Sequence, residues 1–171
     1  ISLPTYALLQ RDRPGVVRVF ELQMGLVGFI FIPLAVGVGV LAPVIVPLAF
    51  GSQWLAIVDP LRILCVYVVC AGYLSVMTAL QYGANRPDLQ MKSWAWQFLF
   101  YAVVIVPLTM EWGLTGAAAA LVASYVVGVA LQCIGTRALL GPVVDTTLRS
   151  MGRASVLAGS LAGGLVFLAG T

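Results

Sequence analysis

The chain has 171 residues, of which 61% are aliphatic, aromatic or Cys and 9% are charged, for a mean hydropathy of +1.05. A soluble domain carries about 25% charged residues, so the composition specifies a membrane protein and excludes a disordered tail, a nucleic-acid binder and a disulfide scaffold. A net charge of +3 is too small and dispersed for a nucleic-acid footprint, and three Cys in apolar runs with no His leave no metal site, cofactor or His-based catalysis to expect.

Charges mark where the chain meets water, because Arg, Lys or Asp at a bilayer centre costs about 2.5–3.5 kcal/mol. Residues 1–21, where cations alternate with Leu, Val and Phe, read as an amphipathic connection on the cytoplasmic face. Uncharged runs then cover 22–58 (37 residues), 63–85 (23), 93–110 (18), 112–136 (25) and 154–171 (18). Crossing a bilayer as helix takes about 20 residues, so four of these runs hold one helix each. The first run fits either one span with an interfacial tail or a hairpin turning near Gly37 and Gly39.

Loop charge decides between the two. With one span, Arg11, Arg13, Arg18, Arg86, Lys92, Arg137, Arg149 and Arg153 share a side against Arg62 alone; with a hairpin the bias vanishes. The positive-inside rule selects one span and places the cation-rich side in the cytoplasm. Transmembrane helices are therefore expected over about 22–41, 60–85, 91–110 and 114–137, with a cytoplasmic interfacial segment at 140–153 and the start of a further span at 154–171.

Pro43 and Pro47 each remove a helical donor, which predicts a helix ending near Leu41 and a broken interfacial stretch through Trp54. Trp54 and Trp112 suit an outer aromatic belt, and Tyr82, Trp94 and Trp96 an inner one. Mid-span Pro33 and Pro107 predict kinks, of the kind that static bundles and moving transporter helices both carry. The opening Ile and the unflanked last run read as a piece of a longer protein.

Gly116, Ala120, Ser124 and Gly128 form an i,i+4 ridge of small residues, the pattern by which membrane helices approach closely. Gly159 and Gly163 repeat it once. On the second helix Ser75, Thr78, Gln81, Tyr82 and Asn85 share a face, and Gln97 and Tyr101 do so on the third. Polar groups at that depth need partners, either across helices or in a wet cavity. All four Asp and Glu after residue 58, Asp59, Asp88, Glu111 and Asp145, fall at span ends or in loops, so these runs supply no embedded carboxylate for ion coupling.

The order of the pieces resembles the Wzx-like lipopolysaccharide and polysaccharide flippases of the multidrug/oligosaccharidyl-lipid/polysaccharide exporter superfamily. The resemblance rests on PTYALLQRD at 4–12, LAP at 41–43 with PLAFGSQW at 47–54, PLRIL at 60–64, GANRPDL at 83–89 with Lys92, and WGLTGAA at 112–118. It covers nearly the whole chain, and Asn85 stands where many such proteins have Gly before Arg-Pro. It implies an all-α integral membrane fold, this chain being a five-helix fragment from the C-terminal lobe of a two-lobe bundle of 12–14 transmembrane helices.

It also implies a multi-pass protein of the bacterial cytoplasmic membrane that moves an undecaprenyl-diphosphate-linked oligosaccharide from the cytoplasmic to the outer leaflet by alternating access. The partners are then that lipid-linked oligosaccharide, membrane lipids and the N-terminal lobe of the same protein. No bond is made or broken, so it is not an enzyme; the task asks for cations and for amide or hydroxyl donors. The residues on which this falls are Arg62 at the outer mouth, Arg86 and Lys92 at the inner mouth, and Gln81, Asn85, Gln97 and Tyr101 between. Arg62 also suits an i,i+3 pair with Asp59 that closes the first turn of its helix. A multidrug exporter of the same superfamily, or a scaffold subunit docked through its small-residue ridges, are the competing readings.

Overall fold

The computed structural model describes residues 13–140, so the expectations for residues 1–12, for the interfacial segment beyond Leu140 and for the further span at 154–171 lie outside the described residues. The described residues are helical throughout, joined by short turns, with no strand among them. Helix α1 is Arg13–Phe50, a 3-10 segment follows at Ser52–Ile57, and α2 is Val58–Gly83. The last helical run, Pro87–Leu140, has 54 residues and is broken at Gly113, whose φ of 58° and ψ of −131° are not helical. At 1.5 Å per residue it would reach about 81 Å if straight, far beyond the ~30 Å of a bilayer core. It is two helices, 87–112 (α3) and 114–140 (α4).

Three runs, Pro14–Phe50, Ser52–Gly83 and Pro87–Leu140, are long and apolar enough to cross a membrane, with mean hydropathies of 2.6, 2.2 and 2.0. The third holds two passes. Large side chains such as Phe29, Leu48 and Met110 stand more than 80% exposed or close to it, a surface that lipid accepts and water does not. The chain is a multi-pass, all-α membrane protein.

Helix α1 differs from expectation at both ends. Its described part already takes in 13–21, which were expected to form a connection, and it continues past Leu41 to Phe50 through Pro33, Pro43 and Pro47. Part of the reason lies in α2. Pro43 has no N–H to give the carbonyl of Gly39 four residues earlier, and Nε of Arg62 donates to that carbonyl at 3.2 Å. The break is confined to Gly51, at φ 94°, whose N–H still donates to Pro47 O at 3.0 Å.

Helices α1 and α2 pack as an antiparallel hairpin. Gly72 lies against Val27 and Phe31, Gly28 against Tyr73, and Gly39 against Cys65. Apolar contacts close both ends: Phe20, Met24, Tyr73, Val76, Met77 and Leu80 at one, Ala42, Val46 and Val58 at the other. Burying each such side chain contributes about 1.5–3 kcal/mol in water, whereas between lipid-exposed helices the gain comes from tight contact.

α2 ends in a Schellman motif. Asn85 takes the left-handed position at φ 55°; its N–H donates to Tyr82 O at 3.0 Å, and that of Arg86 to Gln81 O at 3.0 Å. Asn is the usual substitute for Gly at that position. Pro87 then opens α3, where a missing N–H costs nothing.

α3 and α4 meet in reverse order, Gln97 against Gly128 and the Leu108 carbonyl against Gly116. α2 and α4 meet in the same order: Tyr67 with Tyr125, Thr78 with Gln132, Gln81 with Gly135. α2 and α4 thus run parallel as a central wall, with α1 on one side and α3 on the other. Arg18, Arg86, Lys92 and Arg137 fall at one end and Arg62 at the other.

Candidate functional site: a polar groove between α2, α3 and α4

On the α3 side of the wall lies a groove of 660 Å³, lined by Ala71, Leu74, Ser75 and Thr78 of α2, Trp94, Gln97, Phe98 and Tyr101 of α3, and Leu121, Ser124 and Tyr125 of α4. The α3 residues recur at three and four, as a single helical face requires. Ser75 donates to Gly72 O and Ser124 to Leu121 O, both at 2.7 Å. Those hydroxyl protons serve their own helices, and the oxygen lone pairs remain as acceptors. Tyr125 is held from behind by Tyr67, ring centroids 4.5 Å apart and 73° inclined, an edge-to-face pair. Among the described residues the lining therefore offers hydroxyls, an amide and aromatic faces set in a mainly apolar wall, and no formal charge.

Toward the cation-rich end the polar character continues in buried form. Thr78 and Gln132 face each other at 3.4–3.5 Å, and Gln81, Gln90, Ser93 and Thr136 are buried. Ser93 donates to Leu89 O at 2.9 Å. On α4 the buried positions Gly116, Ala120, Ser124, Gly128, Gln132 and Thr136 succeed one another at exactly four residues. The small-residue stripe and the polar stripe are one ridge. A β-carbon at Gly128 would lie 2.5 Å from Oε1 of Gln97, and one at Gly116 would overlap the Leu108 carbonyl. Glycine at both places sets how near α3 comes.

On the α1 side lies a second cavity of 610 Å³, walled mainly by Val, Ile, Ala and Cys, with Arg62 at its edge. Arg62 is already engaged. Besides Gly39 O it faces Asp59 at 3.7 Å, the two side chains 48% and 78% exposed; an ion pair that exposed contributes about 0.2–1 kcal/mol at most.

The seven residues singled out by sequence thus separate. Gln97 and Tyr101 line the groove and Gln81 lies in the buried tier below it. Asn85 is exposed and forms the turn, and Arg86 is exposed with Nε 3.4 Å from Asp88. Lys92 is exposed and two residues from buried Gln90, roughly 200° around the helix, so it points away from the groove. Arg62 belongs to the other cavity.

Sequence reasoning missed Gln90, Gln132 and Thr136. For the α4 pair a signal existed, since the four-residue ridge continues past Gly128. Gln90 sits in a stretch that reads as a loop because of Arg86-Pro87-Asp88, although Pro87 opens a helix.

Residues 1–59 match a family model described as polysaccharide biosynthesis protein. The chain is 27% identical over 107 residues to the lipopolysaccharide biosynthesis protein WzxC of Escherichia coli (strain K12). The resemblance to Wzx-like polysaccharide flippases holds. The WzxC match takes in 62% of this chain and 22% of that relative, so the chain spans a minor part of the relative's length. No solved structure matches.

Proposed function

We propose that the protein flips an undecaprenyl-diphosphate-linked oligosaccharide from the cytoplasmic to the outer leaflet of the bacterial cytoplasmic membrane by alternating access. The observation that carries this reading is the groove: uncharged, lined by hydroxyl, amide and aromatic groups, and set between apolar helices. Sugars are bound by such a lining, with hydroxyls hydrogen-bonded and ring faces stacked on aromatics, while a prenyl tail stays in lipid. Arg86, at the cation-rich end, suits the diphosphate on the cytoplasmic side. Membrane lipids and an N-terminal lobe of the same protein complete the passage. Among the described residues no Asp or Glu lines the groove, which favours a neutral glycan over the cationic drugs that an embedded carboxylate would serve.

The test is the leaflet-resolved pool of lipid-linked saccharide in cells lacking the full-length protein and complemented with wild type or a Gln97→Leu/Tyr101→Phe variant. Cytoplasmic-leaflet accumulation in the deletion, cleared by wild type and at least tenfold less by the variant at equal abundance, is the expected outcome. An unchanged pool in the deletion would refute the cargo, and full clearance by the variant would refute the groove.

A further inference from the structure

Where α2, α3 and α4 converge below the groove, three sealed side chains hold polar atoms without a partner among the described residues: both amide atoms of Gln81, both of Gln90 and the hydroxyl of Thr136. All three residues are 0% exposed. The helix registers bring them together. Gln81 abuts Gly135, next to Thr136, and the α3–α4 pairing of Gln97 with Gly128 and Leu108 with Gly116 runs on to set Gln90 opposite residues 134–135. The neighbouring pair, Thr78 and Gln132, is at the long limit of hydrogen bonding, 3.4–3.5 Å.

Folded proteins rarely leave buried amides unpaired, and a cluster of them marks a place that is satisfied in another arrangement, stores strain in this one or holds bound water. Position favours the first. The tier lies between the groove and the cation-rich end, beside the turn where Arg86 N–H is held by Gln81 O. α3 and α4 are joined at the far end through Gly113, whose backbone is open to rearrangement as no other residue type would be.

We propose that Gln81, Gln90, Gln132 and Thr136 form the closed gate of the groove at its cation-rich end, and that their amides and hydroxyl take up water when the α3–α4 hairpin parts from α2. This rests on the groove being a passage and adds which residues seal it. The unpaired atoms raise the free energy of the closed state, so opening exchanges orphaned amides for hydrated ones.

The experiment uses the full-length protein in a cysteine-free background carrying Thr136→Cys, in inside-out vesicles, probed with a small hydrophilic methanethiosulfonate. Rates are compared with and without Gln81→Met and Gln90→Met, apolar replacements of similar length, singly and together. Slow labelling of Thr136→Cys that falls at least tenfold in the Met variants, with a melting temperature raised in detergent, is expected. A melting temperature lowered by both single variants would show the amides already satisfied when closed, labelling unchanged by the Met variants would show that the amides do not bear on opening, and no labelling of Thr136→Cys at all would show that the tier does not open; any of the three overturns the gate. Neither readout requires a saccharide, so a wrong cargo leaves this test intact.

Discussion

At the residue scale, the side chain with the most changed meaning is Arg62. As the lone cation at its end among the described residues it invites a ligand, yet its Nε supports the carbonyl that Pro43 leaves unpaired. A hydrogen bond to a charged donor contributes about 1.5–3 kcal/mol, and restoring an N–H at residue 43 makes that donor redundant. Arg62→Ala is therefore expected to lower the melting temperature of the full-length protein, and Pro43→Ala to remove most of that loss, a coupling of about 1 kcal/mol in a double-mutant cycle. Strictly additive effects would show that Arg62 does not serve that carbonyl. Asn85 has the same lesson in a turn. At φ 55° a β-branched residue costs about 1–2 kcal/mol, whereas Gly fits, so Asn85→Gly should keep wild-type thermal stability and Asn85→Val should lose it.

At the element scale, the ridge on α4 and the break at Gly113 do the positioning. α3 and α4 form a hairpin because a single residue reverses the chain, at a φ and ψ that only Gly adopts readily, and because Gly116 and Gly128 admit the Leu108 carbonyl and the Gln97 amide. Gly128→Leu would drive a side chain into the space Gln97 occupies, prising α3 off α4 and deforming the groove. A loss of about 1–3 kcal/mol from overpacking, read as a lower melting temperature, is the expected result, while Ala119→Leu, off the ridge and half-buried, should cost less. Equal losses would deny the ridge its part in packing.

At the scale of the whole molecule, the four apolar helices of the described residues, crossing in alternation, put the 3-10 segment and the Arg86 turn at opposite ends. In the full-length protein, Lys92→Cys is expected to react with an impermeant thiol reagent only from the cytoplasm and Gln53→Cys only from outside, both residues being exposed. Reaction of the two from the same side would remove a crossing from the fold. A cation near an anionic leaflet contributes about 1 kcal/mol, which is the basis of the expected sidedness.

Charge gaps alone determined that the chain is a helical membrane protein, because burying a charge in lipid is too costly to occur unmarked. Face and spacing also singled out Gln97 and Tyr101 and the small-residue ridge, since helical periodicity is a local property. Only the tertiary structure decided which neighbour each face meets. Helix α1 passes through Pro43 with help from an arginine nineteen positions further on; Gln81 is sealed while Gln97 opens on the groove; Lys92 turns away from it. Each of those outcomes depends on the register between helices, a relation among distant residues that no local spacing records.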